Sequence, residues 1–113
     1  MALSPTAVAG RTLLAARVIH PFPTLANVVA TALFALIAAR GLPDGGRLAR
    51  LLVVMFCVQS AIGAANDAVD VELDRAAKPY KPIVAGALRR RDAWLVAGAA
   101  AALACLIALT LGP

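Results

Sequence analysis

Residues 49–82 read ARLLVVMFCVQSAIGAANDAVDVELDRAAKPYKP, an apolar run followed by a charged segment. Its first half, residues 49–65, is mostly apolar and approaches the roughly 20 residues that a helix needs to cross a hydrocarbon core. Its second half, residues 66–82, is first acidic and then basic. The chain therefore leaves a membrane-spanning helix through a charged segment, so we expect the carboxylates of that segment where the membrane meets water.

The acidic residues of this segment fall on one side of a helix. With Asn66 set at zero and about 100° per residue, Asp70 lies at about 40°, Asp74 at about 80° and Asp67 at about 100°. Glu72 lies at about 240°, on the opposite face. Like charges one turn apart repel, and the helix dipole disfavours anions near a C-terminus. Because a bound cation would offset both penalties, the spacing predicts a site for a hard divalent ion such as Mg²⁺.

The basic half of the segment complements this prediction. Arg75, Lys78 and Lys81 follow the carboxylates at once, and Pro79 and Pro82 end the helix and stiffen the loop. Carboxylates for a metal beside cations for phosphate are the groups that a diphosphate ester requires. The segment therefore predicts a site for a metal-bound diphosphate.

The same residues resemble the first aspartate-rich motif of the UbiA-type intramembrane prenyltransferases. That motif reads approximately Asn-Asp-x-x-Asp-x-x-x-Asp, followed by two basic-Pro pairs and a glycine. It is matched here by Asn66, Asp67, Asp70, Asp74, Lys78-Pro79, Lys81-Pro82 and Gly86. Lysine stands before each proline where the family more often has arginine, which keeps the charge but loses the bidentate fork.

The resemblance implies a role for each part of the motif. It implies that Mg²⁺ is the cofactor and is held by the acidic half: Asn66, Asp67, Asp70 and Asp74. Of these four, Asp70 and Asp74 are the implied catalytic residues. The implied diphosphate-binding residues come from the basic half: Arg75, Lys78 and Lys81.

The resemblance also implies an activity: transfer of a prenyl group from a prenyl diphosphate to a hydrophobic acceptor, such as an aromatic ring or another lipid precursor, within the membrane. Members of the family have about nine transmembrane helices and a second aspartate-rich motif. Here Asp92 is the only carboxylate after Asp74, so no second motif exists in the 113 residues. We therefore expect a truncated frame, a split subunit that needs a second chain for the missing helices, or a remnant. The alternative is a non-catalytic membrane subunit or gene fragment that packs with a partner.

Composition predicts an all-α integral membrane protein. Hydrophobic residues make up 62% of the chain, charged residues 15%, and the mean hydropathy is +0.85. Three apolar segments are expected to span the bilayer, at residues 22–39, 49–74 (including the acidic motif) and 93–111. Residues 1–21 are expected to form an interfacial lead-in, so that residues 22–113 correspond to the opening part of a UbiA-type helical bundle.

The net charge of +5 reflects membrane topology rather than nucleic-acid binding. The cations cluster at the ends of apolar segments, and aromatic residues for base stacking make up only 4% of the chain. With three spans, eight of the 11 cations lie on the side of the acidic motif: Arg11, Arg17, Arg75, Lys78, Lys81, Arg89, Arg90 and Arg91. The positive-inside rule then places this motif on the cytoplasmic side of a bacterial or archaeal membrane.

Three further features receive predictions. His20, beside Pro21, is interpreted as a membrane-boundary residue rather than a catalytic base. Asp92 is expected to form the N-cap of the third span. The run at residues 89–91 is interpreted as topology-determining arginines that contact lipid, with capture of the diphosphate as the alternative.

Overall fold

A computed structural model describes residues 2–113, and in that range the chain is helical with no strand. A short 3₁₀ turn at Arg17–Ile19 separates the first two of the five α-helices. The helices are α1 (Pro5–Ala16), α2 (Pro21–Ala39), α3 (Gly45–Val69), α4 (Val71–Ala77) and α5 (Arg90–Leu109).

Three of these helices, α2, α3 and α5, are long and apolar enough to cross a membrane. The shortest of them, α2, has 19 residues and is therefore about 28 Å long at about 1.5 Å per residue. Many of its large apolar side chains lie on the outer surface of the protein, including those of Phe22, Phe34 and Ile37. A helix that presents such residues outwards suits lipid rather than water, so the predicted all-α membrane fold is confirmed.

Helix α3 packs against α2 and more extensively against α5, and the core lies where α3 meets α5 and Val18 of the 3₁₀ turn. Its residues are mainly alanines: Ala64, Ala68 and Ala93 have no exposed surface, and Ala97 is also buried. Lipid tails are as apolar as leucine, so helices in a membrane associate through close packing of small residues. The alanine cluster thereby brings the end of α3 against the start of α5, beside the charged segment.

The helix that was predicted to continue through Asp74 instead ends at Val69, and α4 begins after a break at Asp70. Backbone bonds continue across the break, because the Asp70 amide donates to the Asn66 carbonyl at 2.9 Å. However, Arg90 Nε donates to the carbonyl of Ala68 at 2.6 Å. In an uninterrupted helix this carbonyl would accept from the amide four residues later. A side chain that enters the backbone ladder is a recognised cause of a kink.

The prediction that Asp92 caps the third span is wrong. Helix α5 begins at Arg90, and Arg89 occupies the N-cap position. Asp92 lies in the first turn, where its carboxylate accepts hydrogen bonds from Arg89 Nε at 2.7 Å and Arg89 Nη2 at 3.3 Å. A carboxylate in the first turn is favoured by the helix dipole as well as by this ion pair.

Candidate functional site

Asp67 is the most enclosed carboxylate of the motif. It lies in the last turns of α3 and is only 2% exposed. Its Oδ1 atom is 2.9 Å from His20 Nε2 and 2.8 Å from Lys81 Nζ, so both nitrogens donate to one oxygen. Its Oδ2 atom is buried and has no partner among residues 2–113. Since buried acceptors are rarely left unpaired, this oxygen marks a place where a further donor or a cation is needed.

Asp74 lies beside Asp67 on the other side of the helix break. It is 4% exposed, and its Oδ2 atom accepts a hydrogen bond from Lys81 Nζ at 2.7 Å. Lys78 Nζ is 3.8 Å from its Oδ1 atom. One ammonium group, that of Lys81, therefore joins two buried carboxylates that belong to different helices.

The position of Lys81 follows from the loop after α4. Helix α4 ends at Ala77 before the Lys78-Pro79 pair, as the prolines predict. The Lys81 amide then donates to the Lys78 carbonyl at 3.1 Å, which closes a turn, and Pro82 is buried. The turn brings the Lys81 side chain back over the helix break.

The charge state of Lys81 is firmly that of an ammonium. Burial by itself lowers the pKa of this side chain, but hydrogen bonds and charges from Asp67 and Asp74 outweigh the burial. The net result is a pKa raised above the ordinary lysine value of 10.5. The cluster thus contains a permanent cation that neutralises part of its negative charge.

The remaining predicted ligands lie farther out. Asn66 is exposed, Asp70 is half-buried at the helix break, and the side chain of neither has a partner among residues 2–113. Glu72 is exposed and pairs with Arg75, whose Nε atom is 3.2 Å from Glu72 Oε2. Glu72 therefore points away from the buried carboxylates, as the helical angle predicts.

No group of three histidine, cysteine or acidic side chains within residues 2–113 is close enough to hold a metal ion. The donor set nevertheless suits Mg²⁺, which takes one or two protein carboxylates and completes its shell with water and phosphate. Asp67 and Asp74 supply such a pair, and the unpartnered Oδ2 atom of Asp67 is an oxygen without a competing donor. The residues present therefore fit this ion together with a phosphate ligand.

A pocket of about 330 Å³ opens above the cluster. Asp67 and His20 line it beside Lys81, and its wall also contains Lys78 and Arg17. Three permanent cations around a buried carboxylate are suited to an anionic group such as a phosphate. Arg75 does not line this pocket, although the sequence pattern grouped it with Lys78 and Lys81 as a diphosphate-binding residue.

Sequence reasoning missed two contributors to the site. His20 was interpreted as a boundary residue, yet its ring contacts the most buried carboxylate of the motif. Arg17 was assigned to the interfacial lead-in, yet it lines the pocket. The only sequence signal for either was topological, because two intervening spans return the chain to the side of the membrane on which it began.

The arginine run also has a structural role that the sequence did not indicate. Arg90 donates to the Ala68 carbonyl, and Arg89 pairs with Asp92. Neither residue lines the pocket, so capture of a diphosphate does not account for these two bonds. Lipid contact does not account for them either, because both bonds are made to protein atoms.

Comparisons with known proteins extend over most of the chain. A digeranylgeranylglyceryl phosphate synthase from Pyrococcus horikoshii is 34% identical over 88 residues, which cover 78% of this chain and 31% of that protein. A protein of the same name from Pyrococcus abyssi is 39% identical over 69 residues, covering 61% of this chain and 24% of the relative. No solved structure matches the chain.

The chain spans less than a third of the length of these curated relatives. Residues 26–113, the part that a family model matches, contain the whole charged segment, its helix break and helices α3 and α5. The family model that describes the UbiA prenyltransferase family matches residues 26–113. With its three membrane-spanning helices, this chain is an integral membrane protein that belongs to the UbiA prenyltransferase family.

Proposed function

We propose that this chain forms the first diphosphate-binding part of a Mg²⁺-dependent intramembrane prenyltransferase. The observation that carries the proposal is the pairing of Asp67 and Asp74 through Lys81 beneath a pocket rich in cations. The pocket lies at the ends of membrane-spanning helices, where a prenyl diphosphate would keep its headgroup in water and its tail in lipid. Orientation with this end facing the cytoplasm of a bacterium or archaeon is part of the proposal.

Asp67 and Asp74 would hold the metal, and Asp70 and Asn66 at the helix break would complete the acidic set. Bound Mg²⁺ would neutralise charge on the departing diphosphate oxygens. Lys78 and Arg17 line the pocket and would bind the remaining phosphate oxygens. Because Arg75 pairs with Glu72 away from the pocket, we assign it a smaller part in diphosphate binding than Lys78.

The apolar helices supply the second requirement of this chemistry. Departure of the diphosphate leaves an allylic carbocation, which water would capture unless the site excludes it. Ala64, Ala68 and Ala93, which pack α3 against α5 next to the cluster, have no exposed surface. The carbocation would then alkylate the acceptor, and a proton would leave from the atom that is alkylated.

The name of the two relatives favours one class of acceptor. Both are digeranylgeranylglyceryl phosphate synthases. For this chain we therefore propose a glycerol phosphate lipid as acceptor and a geranylgeranyl diphosphate as donor, in preference to an aromatic acceptor.

Asp67 is the one carboxylate that lines the pocket among residues 2–113, and Asp74 reaches it only through Lys81. Charge that develops on a departing diphosphate must be stabilised on more than one side, so a second acidic cluster is needed. We propose that further helices, in this or in a second chain, supply it. Residues 1–113 alone, in nanodiscs with Mg²⁺, labelled geranylgeranyl diphosphate and acceptor lipid, should yield no product. Product whose formation Asp70→Ala abolishes would contradict this requirement.

The activity itself is tested by a chimaera. Residues 17–113, which include Arg17 and His20 of the pocket, replace the corresponding portion of the Pyrococcus horikoshii relative, and prenyl transfer is measured in membranes beside the unmodified relative. We expect transfer in the chimaera, loss by orders of magnitude with Asp70→Ala or Asp74→Ala, and a mild effect of Glu72→Ala. An inactive chimaera with the unfolding profile of its parent would contradict the proposal, as would equal losses for Glu72 and Asp70.

One observation favours the non-catalytic alternative: Lys81 already bridges the two buried carboxylates without a metal. In that case the chain would be a membrane subunit that packs with a partner. The chimaera separates the two functions, because a subunit of this kind would not restore prenyl transfer.

A further inference from the structure

The backbone at His20 has a positive φ angle. Its φ and ψ are 52° and 68°, in the left-handed region that residues other than glycine rarely occupy. The turn is held on both sides, because the His20 amide donates to the Arg17 carbonyl at 3.0 Å and the Thr24 hydroxyl donates to the Ile19 carbonyl at 2.7 Å. Strain of this kind persists where the surrounding structure enforces it, and it often accompanies functional sites.

The turn aims the imidazole at the acidic cluster. His20 Nε2 lies 2.9 Å from Asp67 Oδ1, across 47 positions of sequence. Gly63, one turn before Asp67 on α3, makes room for the ring. A methyl group at Gly63 would lie 3.0 Å from His20 Cδ2 and 3.1 Å from the Val18 carbonyl oxygen. The close approach of the ring to α3 therefore depends on a glycine at this position.

The two donors to Asp67 share a single oxygen. Nε2–H of His20 and the Lys81 ammonium both reach Oδ1, and Oδ2 is left buried without a partner. Two bonds to one oxygen fix the plane and the rotation of a carboxylate. They leave the second oxygen as the one available to a cation.

We propose that His20 is a positioning residue that orients Asp67 so that its free oxygen serves the divalent cation of the substrate complex. The inference rests on the proposed function, and it adds a residue from outside the aspartate-rich motif. His20 donates from a rigid turn at the start of α2, so it ties the lead-in helix to the acidic cluster. Partners of this kind typically contribute about 10- to 100-fold to metal affinity.

The test measures binding of Mn²⁺ by electron paramagnetic resonance to the full chain in nanodiscs. We expect His20→Ala to weaken Mn²⁺ binding by about 10-fold, and His20→Gln, whose amide nitrogen can reach the position of Nε2, to restore it within about threefold. Gly63→Ala, which displaces the ring without removing a polar group, should give an intermediate loss. Unchanged affinity in His20→Ala would overturn the inference.

A matched control separates positioning from backbone strain. Within residues 2–113, two residues that are not glycine have a positive φ: His20 and Arg40, whose φ is 54°. Arg40 lies at the opposite end of α2. Arg40→Ala should change thermal stability as His20→Ala does, but leave Mn²⁺ affinity unchanged. Equal losses of affinity in both variants would show a general effect of the turn and overturn the inference.

Failure of the inference and failure of the proposed function give different results. If the wild-type chain and His20→Ala bind Mn²⁺ with equal affinity, the inference alone is contradicted. Wild-type chain that binds no Mn²⁺, with or without inorganic pyrophosphate, contradicts the proposed metal site and the inference with it. If His20→Ala does not fold, the other two variants test the inference. Positioning of Asp67 by the His20 ring would be contradicted if Gly63→Ala kept the wild-type affinity for Mn²⁺ while His20→Gln lost it.

Discussion

Replacing Lys81 with methionine removes the ammonium between Asp67 and Asp74 while keeping a side chain of similar length. The Lys81 side chain is 13% exposed and the side chains of Asp67 and Asp74, taken without their backbone, are 2% and 6% exposed, so the change leaves two nearly buried charges close together. Removing one partner of a buried ion pair costs about 3–5 kcal/mol. His20 remains on Asp67 and Lys78 remains near Asp74, so we expect the lower end, about 3 kcal/mol of unfolding free energy.

The same variant makes a prediction about the metal. Without the ammonium, no lysine competes with a divalent cation for the position between the two carboxylates. Mg²⁺ should therefore raise the stability of Lys81→Met more than it raises that of the wild-type chain. A ligand present at about 100 times its dissociation constant stabilises the folded state by about 2.7 kcal/mol, which nearly offsets the loss. Fluorescence of the single tryptophan, Trp94, during denaturant titration in micelles reports both effects.

The matched control is Lys78→Met, which removes a lysine from the same loop. Lys78 is 49% exposed and lies 3.8 Å from Asp74 alone, so its loss should cost less than about 1 kcal/mol. Equal stability of Lys81→Met and Lys78→Met would refute the bridging role of Lys81. Absence of any differential response to Mg²⁺ would refute the assignment of the carboxylate pair to a metal.

Three further outcomes are expected. In the chimaera, Asp74→Ala should lower the turnover of prenyl transfer by orders of magnitude, whereas Glu72→Ala should lower it only mildly because that carboxylate is exposed. Comparable losses of turnover in the two variants would contradict the placement of the site. Ala97→Leu should destabilise the packing of α3 and α5 by about 1–3 kcal/mol in denaturant titration, whereas Ala99→Leu on the exposed face of α5 should have little effect. The pKa of Lys81 is raised in the folded state, so its stabilising contribution is fully present below about pH 10.5 and is lost as pH rises through the higher folded value. A difference in unfolding free energy between the wild type and Lys81→Met that disappears near neutral pH would contradict this.

Local features of this protein were readable from its residues. Hydropathy predicted three spans, because a helix in a membrane satisfies its backbone hydrogen bonds within its own segment. Helical periodicity predicted that Glu72 points away from the other carboxylates, and the prolines predicted the end of α4. These predictions succeeded because each depends on neighbours within a few positions along the chain.

Two local predictions were wrong because a contact with another side chain prevailed. The helix breaks at Asp70 although its sequence contains neither proline nor glycine at that point, and Arg90 binds the backbone there. Asp92 pairs with Arg89 inside the first turn of α5 rather than capping it. The contact of Arg90 joins positions 22 apart and has no signature in the local spacing of residues, whereas the Arg89–Asp92 pair has the three-residue spacing of a local ion pair.

The composition of the acidic cluster depends on how the helices pack. His20 meets Asp67 across 47 positions, because α2 and α3 cross the membrane and return to the same side, and because Gly63 admits the ring. Lys81 joins Asp67 to Asp74 across the break at Asp70, because the turn from Lys78 to Lys81 brings its side chain back to both carboxylates. Residue type and spacing determine which groups are available and on which side of the membrane they lie. Which of them touch is determined by close packing of small residues between helices, since that packing sets distances to within an ångström between parts of the chain that share no local hydrogen bonds.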